Sequence, residues 1–449
     1  MHCFKRWPSL NKITNFLNRF LLAASSPYKF GFLSDHSYLS KAELSNLKGI
    51  VESQDLENES AIVNKFEQEF MKLIGSGYGI SFASGRMAFY SILRALNIGA
   101  GDEVILPGFT CSVMVNAVLR VGAKPVFADI DRDTFGSDAS TIEKLIAPKT
   151  KVIVAQHSFG IPCNIEPIIA LAKKKGLFVV EDCAITLDSS IKGVKVGNFG
   201  DAAIFSTDHS KPLNTIVGGL FYTTNKEFFA KVKKLTKDIP SLDKQHQLAI
   251  YEQMLFERKY STPSSHFKLF LLSTLRARIK KTQTYLRDDF RMPALSEHSY
   301  PYPSRLPGFL AQLGLYELNK WKDEKVMRKR ILASYLAAMN EVRMSKYIPK
   351  AYLNYEIDIT PLRFAFYCPD AEKVKKTMSK HFEISWIWFQ QPIICCLDGV
   401  ESFGYKNGSC LLSEDIGEHI LNFPCNVNVA WEKELIKSFK NIFNSLTEK

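Results

Sequence analysis

Short apolar runs alternate with segments of helical period along residues 79 to 224. Seven runs have the length of buried strands: 79–83 (GISFA), 103–107 (EVILP), 124–130 (KPVFADI), 151–157 (KVIVAQH), 177–182 (LFVVED), 202–206 (AAIFS) and 219–224 (GLFYTT). Between them, segments such as RMAFYSILRALN and EPIIALAKKKG repeat their apolar residues with the period of a helix. This alternation predicts an α/β fold with a mostly parallel sheet covered by helices on both faces.

The flanking regions carry different patterns. Residues 41–74 have apolar positions at helical spacing, which predicts one or two helices before the first strand. A helix pair is expected from Leu306 to about Asn340. Strand-like TPLRFAFYC, FEISWIWF and HILNFPC then alternate with helical segments, which predicts a smaller α+β domain. On this interpretation Trp386 and Trp388 lie on the buried face of one strand.

A chain of 449 residues exceeds the size of one ordinary hydrophobic core. We therefore predict four regions. They are a basic, amphipathic N-terminal extension (1–37), a large domain (38–225), a basic helical insertion rich in Lys, Tyr and Phe (226–305) and a small C-terminal α+β domain (306–449).

The nine cysteines occur at positions 3, 111, 163, 183, 368, 395, 396, 410 and 425, without a CxxC pair or histidines at metal-ligand spacing. This pattern supports neither a zinc site nor a disulfide framework, so we expect no metal. Reduced, mostly buried thiols are typical of a cytoplasmic enzyme, and this is the location that we predict.

Positive charge is concentrated in one part of the chain. The formal net charge is +12, and fifteen basic residues stand against seven acidic ones between Lys226 and Arg291. A solvated helical surface explains this region without a nucleic-acid partner, although it could also attract phosphorylated substrates. The N-terminal segment is too short and polar to span a bilayer, but it could lie as an amphipathic helix on a protein or make peripheral contact with a membrane.

Lys211 follows the predicted strand 202–206, and Asp182 ends the predicted strand 177–182. Parallel strands place their carboxyl ends at one edge of a sheet, so these side chains and Ser206 are expected to meet there. A lysine beside a carboxylate and a hydroxyl indicates a Schiff-base site for pyridoxal 5'-phosphate (PLP). The carboxylate would keep the ring nitrogen protonated, and backbone N–H groups at a helix start would bind the phosphate.

Five strings occur in order between residues 81 and 225: SFASGRMAFYSILRALNIGAGDEVILPGFT, HSFGIPCNI, LFVVEDCA, GNFGDAAIFSTDHSK and VGGLFYTTN. Together with ILNFPCNVNVAWEKELIKSF near the end, they resemble the DegT/StrS-type sugar aminotransferases, a branch of the fold-type I PLP enzymes. The resemblance is visible from about Tyr38 to the end of the chain. It implies that the large domain binds PLP and that the protein is a transaminase.

The resemblance also implies roles for individual residues. Lys211 matches the lysine that holds the cofactor and moves protons, Asp182 matches the partner of the pyridine nitrogen, and Ser206 matches a phosphate-binding hydroxyl. The turn whose backbone amides receive the phosphate would be formed by Gly85, Arg86 and Met87.

Three positions depart from the family pattern. Arg86 stands where a threonine is usual, Cys111 where an aromatic ring usually stacks on the cofactor, and Ile185 where a glutamine usually binds its phenolic oxygen. The segment that reaches the cofactor of the partner subunit is not recognisable, and the 226–305 insertion could substitute for it. His157 is equally consistent with a substrate contact and with a core histidine, and no role is assigned to His209.

The leading hypothesis is a cytoplasmic, homodimeric PLP-dependent aminotransferase. It would move an amino group from glutamate to a nucleotide-linked keto-sugar, in surface-polysaccharide or secondary-metabolite biosynthesis. The homodimer is implied by the resemblance alone. A related PLP reaction on a sugar, such as dehydration, stays open, although Lys211 favours transamination because related dehydrases carry histidine there. A non-enzymatic, regulatory relative also stays open, and Cys111 and Ile185 would favour it.

Overall fold

Seven strands form the central sheet, and they coincide with the seven predicted strands. The computed structural model describes residues 29–32, 39–260, 300–384 and 387–447, together with residues 268, 272, 286 and 290. The strands are β1 (Tyr78–Phe82), β2 (Glu103–Pro107), β3 (Lys124–Ala128), β4 (Thr150–Gln156), β5 (Phe178–Asp182), β6 (Ala202–Ser206) and β7 (Gly219–Thr223). Their spatial order is β1-β7-β6-β5-β4-β2-β3. Strand β7 is antiparallel to both neighbours and the other pairs are parallel, which confirms the predicted mostly parallel sheet.

The helices before β7 occupy the predicted helical segments. They are α1 (Lys41–Ser53), α2 (Leu56–Ile74), α3 (Gly85–Ala95), α4 (Ser112–Arg120), α5 (Ala139–Glu143) and α6 (Ile165–Lys175). Helix α1 begins at a capping box, in which the Ser40 hydroxyl accepts from the Glu43 amide and the Glu43 carboxylate accepts from the Ser40 amide. Such reciprocal bonds satisfy donors that a helix start otherwise leaves unpaired.

Both faces of the sheet are covered, as the alternation of strands and helices predicts. Val104 and Val152 join the larger hydrophobic core, which includes residues of α3 and α4. Their neighbours Ile105 and Ile153 join a separate core with residues of α6. Successive side chains of a strand point to opposite faces, so runs that are apolar at every position match a sheet buried on both sides.

The chain after β7 forms helices α7 (Lys226–Leu235), α8 (Lys244–Tyr260) and α9 (Gly308–Glu341). The predicted helix pair after Leu306 is wrong, because α9 is one continuous helix of 34 residues. Its first half packs in the larger core through residues such as Phe309, whereas its second half packs in another core through residues such as Ile331. The change of partner shifts the apolar face along the helix, which explains why the pattern resembles two helices.

The C-terminal part contains two longer strands that pair antiparallel, β8 (Arg363–Tyr367) and β9 (Ile420–Pro424). Helices α10 (Ala371–Met378), α11 (Leu411–His419) and α12 (Glu432–Thr447) accompany them. Four short 3-10 helices lie at Ser345–Tyr347, Lys350–Leu353, Glu401–Phe403 and Val429–Trp431. Phe364, Phe423 and Phe439 pack with Tyr335 of α9 in one aromatic core. The predicted combination of antiparallel strands and helices is present.

Five segments of two residues complete the strands of the described residues. Thr110–Cys111 pairs parallel with Ile393–Ile394, and this pairing joins the C-terminal part to the chain after β2. Ser190–Ile191 pairs antiparallel with Val194–Lys195 and with Ile357–Asp358. The pairings with Ile393–Ile394 and with Ile357–Asp358 connect residues that are more than 160 positions apart, so they help to fix the C-terminal part against the sheet.

The predicted strand FEISWIWF is absent from the described part of this segment. Phe382 forms an isolated bridge with Phe30, and Trp388 and Phe389 lie in a turn. The Asn422 side chain accepts from the Trp388 amide at 3.2 Å and donates to the Trp388 carbonyl. These bonds satisfy the backbone polar groups that a strand ladder would otherwise satisfy. Trp386 lies outside the described residues.

Two of the predicted regions, the N-terminal extension and the insertion at 226–305, are only partly described. Most of the N-terminal extension and most of residues 261–299 lie outside the described residues. In the segment predicted to be a helical insertion, the described residues form two helices, α7 and α8. Among the residues that the structure describes, no helix combines the length and the apolar character needed to cross a membrane.

Candidate active site

The carboxyl ends of β5 and β6 bring the predicted residues Asp182 and Ser206 to one edge of the sheet. Asp182 is the last residue of β5, and Ser206 is the last residue of β6. Residue Asp182 is paired with Ile204 across the two parallel strands. The meeting of these side chains at the sheet edge, expected from strand direction alone, is therefore present in the structure.

Lys211 projects from the loop that joins β6 to β7. The loop is closed by hydrogen bonds at its base, where the Thr207 amide donates to the Gly218 carbonyl at 3.0 Å. The Thr207 and Thr215 hydroxyl oxygens lie 2.6 Å apart. The Lys211 amide donates to the Asp208 carbonyl at 2.9 Å, which forms a tight turn. This bonded loop holds the lysine in one place at the edge of the sheet.

Burial lowers the pKa of the Lys211 amine, and the negative charges of Asp208 and Asp182 oppose that shift. A lowered pKa increases the fraction of uncharged amine, which is the form that attacks an aldehyde. Burial raises the pKa of Asp182, against the opposing effects of the Ala184 amide and the charge of Lys211. The Ala184 amide donates to Asp182 Oδ1 at 2.9 Å, which leaves the second carboxylate oxygen available for a cationic N–H.

The start of helix α3 is pressed against the ends of β6 and β7. A Cβ atom added at Gly219 would lie 2.2 Å from the Gly85 nitrogen, so only glycine allows this approach. The same turn carries the buried Ser84 hydroxyl, which has no hydrogen-bond partner among the described residues. A helix start with a spare hydroxyl can bind an anion.

The three predicted residues of this turn differ in what they offer. The Met87 amide already donates to the Ser84 carbonyl at 3.2 Å, so it is engaged within the helix. Gly85 stands directly at the approach of α3 to β6. The Arg86 guanidinium is buried and donates to the carbonyl of Leu286. Ser84 was not among the predicted residues, although a serine directly before a predicted helix is a signal for a capping position.

Asp208 lies between several cations near Lys211. Its carboxylate is 2.9 Å from His209 Nδ1. Burial raises the pKa of Asp208, but the charge and hydrogen bond of His209, with the charges of Lys211 and Arg86, outweigh burial and lower it to about 2. The Asp208 amide and the Gly218 carbonyl each lie 3.5 Å from Ser206 Oγ, at the limit of a hydrogen bond. The Ser206 hydroxyl is thus only weakly engaged.

The two unusual residues Cys111 and Ile185 border the same region. The Cys111 thiol shares a hydrogen bond with Cys395, and this contact and burial raise its pKa well above the ordinary value. Ile185 is buried among apolar residues of the core that also contains Phe109. An isoleucine offers no hydrogen-bond donor, so the described site lacks the amide that the family pattern predicts at position 185.

Trp388 is the aromatic side chain beside Lys211 that sequence reasoning did not place there. The Lys211 Nζ lies 4.5 Å from the centroid of the Trp388 ring. The prediction that Trp388 lies on the buried face of a strand is therefore wrong. The position is decided by Asn422, which binds both backbone polar groups of Trp388, and the sequence contains no local signal for that long-range contact.

His157, Glu181 and Cys183 form a buried group with the donor atoms of a metal site. Their atoms are already engaged, since His157 Nε2 lies 3.0 Å from Glu181 Oε2 and the Cys163 amide donates to His157 Nδ1. Glu181 also accepts from three backbone amides at 2.7 Å, those of Gly197, Phe199 and Gly200. Of the two interpretations of His157, the buried core histidine is the one that agrees with this geometry.

The residues of the site fit a ligand that carries an aldehyde, a basic ring nitrogen and a phosphate. Lys211 offers an amine of lowered pKa, and Asp182 offers a buried carboxylate oxygen. The start of α3 offers an anion site with the spare Ser84 hydroxyl. PLP combines these three groups in one molecule.

Solved aminotransferases share this fold. One is the aminotransferase TlmJ from Streptoalloteichus hindustanus, with a TM-score of 0.67 and 19% sequence identity over 91% of this chain and 98% of the other. Another is an aminotransferase from Psychrobacter cryohalolentis, with a TM-score of 0.64 and 20% identity over 91% of this chain and 98% of the other. Identities this low establish the fold rather than the reaction.

Curated relatives are more similar over a shorter stretch. A GDP-perosamine synthase of Escherichia coli O157:H7 is 41% identical over 167 residues, 37% of this chain and 46% of the relative. A UDP-N-acetyl-3-dehydro-alpha-D-glucosamine 3-aminotransferase of Acidithiobacillus ferrooxidans is 44% identical over 170 residues, 38% of this chain and 46% of the relative. These alignments span about half the length of each relative. The sequence profile of the DegT/DnrJ/EryC1/StrS aminotransferase family matches residues 37–261, half of the chain, and the protein therefore belongs to this family.

Proposed function

We propose that the protein is a PLP-dependent aminotransferase. The observation that carries this proposal is the buried amine of Lys211 at the edge of the sheet where the buried carboxylate of Asp182 also lies. The amine of Lys211 and the carboxylate of Asp182 lie at the carboxyl ends of parallel strands, and each needs a different kind of partner, an electrophile for the amine and a cationic N–H for the carboxylate. A cofactor that needs both an amine and an anion would satisfy them together.

The site residues would divide the binding of the cofactor among them. PLP, when bound, supplies an aldehyde that condenses with primary amines and a ring that withdraws electrons. Asp182 would keep the ring nitrogen protonated through a charge-assisted hydrogen bond. Gly85, Arg86 and Ser206, with the hydroxyl of Ser84, would bind the phosphate at the start of α3.

Lys211 would also transfer protons once the amino donor has displaced it. Its lowered pKa brings the amine closer to neutrality, where a group can both accept and donate a proton. The bonded loop between Thr207 and Gly218 would keep the amine at the edge of the sheet where the cofactor would bind. A proton carrier held in this way avoids the entropic cost of bringing in a free base.

The substrates are inferred from relatives. GDP-perosamine synthase and the UDP-linked 3-aminotransferase are named for nucleotide-linked sugars, and a spore coat polysaccharide biosynthesis protein of Bacillus subtilis is 37% identical over 174 residues. These names support the proposal of a nucleotide-linked keto-sugar as acceptor and of a role in surface-polysaccharide or secondary-metabolite biosynthesis. Glutamate as donor is proposed from the family resemblance of the sequence. We also propose a cytoplasmic homodimer. For each chain we propose the four regions expected from the sequence: 1–37, 38–225, 226–305 and 306–449.

Cofactor uptake is the first test. Titration of the purified apoprotein with PLP should produce a visible absorption band that borohydride removes. Lys211→Ala should produce no such band, whereas Lys192→Ala, at an exposed position, should match the wild type. A wild-type protein that takes up no PLP would contradict the proposal.

The reaction is tested next. Glutamate alone should bleach the visible band, and a nucleotide-linked keto-sugar should then restore it with formation of an amino sugar detectable by mass spectrometry. A band that no amino acid bleaches would instead support another PLP reaction on a sugar. A protein without cofactor uptake or turnover would support the regulatory alternative that Cys111 and Ile185 favour.

A further inference from the structure

Trp388 lies at the site although no catalytic or binding role has been assigned to it. Its ring centroid is 4.5 Å from Lys211 Nζ, the atom to which the cofactor would be attached. The side chain is half-buried, so part of its surface is open. A flat group joined to Lys211 would therefore meet the indole ring.

The segment around Trp388 is fixed beside Cys111. Phe389 packs against Phe109 with ring centroids 4.8 Å apart. Two residues after Phe109, Cys111 pairs with Ile394 in a parallel bridge. The turn that carries Trp388 is thus attached to the segment that carries the thiol. A ring supplied by Trp388 would occupy the neighbourhood in which position 111 has no ring.

The indole is also held before any ligand arrives. Asn422 binds both the amide and the carbonyl of Trp388, and it accepts from Arg363 Nη1 at 2.9 Å. The Arg363 guanidinium lies 4.0 Å from the Trp388 ring centroid. A side chain restrained on its backbone and on its ring loses little conformational entropy when a ligand packs against it.

The charge of the ring face favours the same ligand. An indole has a negative face that attracts cations, and here the cations of Lys211 and Arg363 lie within 5 Å of its centroid. A pyridine ring that Asp182 keeps protonated is itself a flat cation. Contact with the indole would therefore add both apolar burial and electrostatic attraction.

We propose that Trp388 is a cofactor-binding residue, whose indole packs against the pyridine ring of PLP in place of a ring at position 111. This inference rests on the proposed function, because it requires PLP at Lys211. Trp388 would raise affinity for the cofactor without taking part in proton transfer.

The test measures the dissociation constant of PLP by the visible band, with no substrate present. Trp388→Phe keeps a ring and should stay within about threefold of the wild type. Trp388→Leu keeps apolar bulk without a π face, and it should weaken binding about three- to tenfold. Trp431→Leu, on a partly exposed tryptophan of the C-terminal region, is the matched control and should match the wild type. Equal affinity of Trp388→Leu and wild type would overturn the proposal.

Rescue separates contact with PLP from a structural effect. Adding Cys111→Phe to Trp388→Leu should restore most of the lost affinity, because it returns a ring to the adjacent position. Adding Cys111→Ser should not. If neither variant restores affinity while thermal unfolding of the apoprotein shows Trp388→Leu to be destabilised, the role of Trp388 is structural and the proposal is wrong.

The outcome for the wild type distinguishes the two proposals. A wild type that forms the PLP band while Trp388→Leu binds equally well leaves the aminotransferase proposal intact and removes only the role of Trp388. A wild type that forms no band removes both.

Discussion

Glu181 Oε2 lies 3.0 Å from Nε2 of His157, and both side chains are fully buried. The His157 amide donates to the carbonyl of Asp182, at 3.1 Å. Together with the three backbone amides that donate to Glu181, this pair fixes the end of β5 and the turn at residues 197–200. The carboxylate that would hold the cofactor ring is therefore supported by a buried and fully bonded neighbour.

We expect Glu181→Ala to lower the free energy of unfolding by about 3–5 kcal/mol, because it leaves the buried His157 and three backbone amides without their acceptor. Urea unfolding followed by far-UV circular dichroism measures this change. Glu166→Ala removes a carboxylate that contacts Lys192 at the surface, and it should cost less than about 1 kcal/mol. Similar losses for the two variants would show that the buried network contributes little.

Alanine substitutions at Gly219 and Gly49 should change the free energy of unfolding in opposite directions. At Gly219 the new Cβ would lie 2.2 Å from the Gly85 nitrogen, so α3 has to move; we expect a loss of about 1–3 kcal/mol and weaker PLP binding. Gly49 lies inside α1 with no atom within 4 Å of the added Cβ, and alanine there should gain about 0.5–1 kcal/mol. Thermal unfolding and PLP titration check both. A Gly219→Ala protein with wild-type stability and affinity would show that the close approach of α3 is not required.

Acid should lower the free energy of unfolding through protonation of Asp188. Burial raises its pKa, but hydrogen bonds and charges from Lys195 and Lys325 outweigh burial and lower it below 3.8. The folded state thus binds this proton more weakly than the unfolded state. Its stabilisation is complete above the unfolded value, and it is lost as the pH falls through the lowered pKa.

Asp188→Asn should therefore be less stable than the wild type near neutral pH, and the difference should vanish below the lowered pKa. Chemical unfolding at a series of pH values measures the difference. Asp323→Asn, at an exposed position on α9, should show no such trend. A difference between Asp188→Asn and wild type that stays constant into strong acid would contradict the assignment to these ion pairs.

The contribution of Lys211 to the free energy of unfolding should change with pH at the basic end of the range. Its pKa is lowered in the folded state by burial, so folding is penalised while the amine is charged in the unfolded chain. The penalty is present at low pH and disappears as the pH rises from the lowered pKa toward 10.5. Lys211→Met should make the apoprotein more stable at neutral pH, by an amount that shrinks toward pH 10.5.

Unfolding of apoprotein from pH 6 upward tests this expectation, with Lys174→Met on the exposed surface of α6 as the control. The control should differ from the wild type by a constant amount. A Lys211→Met gain that grows with pH would mean that the lysine is stabilised rather than penalised by its surroundings.

Much of the large sheet was determined locally. The seven apolar runs are long enough for buried strands and are separated by helix-period segments, so strand identity depended on neighbours in the chain. The direction of parallel strands then placed Asp182 and Ser206 at one edge without knowledge of any contact. For the same reason the placement of Lys211 after β6 was predictable.

For segments whose structure depends on residues far away in the chain, the local sequence pattern gave a wrong or incomplete prediction. The FEISWIWF string is typical of a strand, but Asn422 binds the backbone of Trp388 and holds it in a turn beside Lys211. The sequence pattern predicts two helices where α9 is one, because the apolar face of α9 packs in two different cores. The choice between the two roles of His157 depended on Glu181, which is 24 residues away.

The sequence by itself determined the order of strands and helices and the chemistry available at their ends, because both depend on short-range periodicity and residue type. Only the tertiary structure decided which side chains surround Lys211. Trp388, from the C-terminal part, reaches it because Asn422 binds its backbone and its neighbour Phe389 packs on Phe109, and no spacing along the chain encodes these contacts. Burial then sets the pKa of the lysine, and burial is a property of the packed molecule.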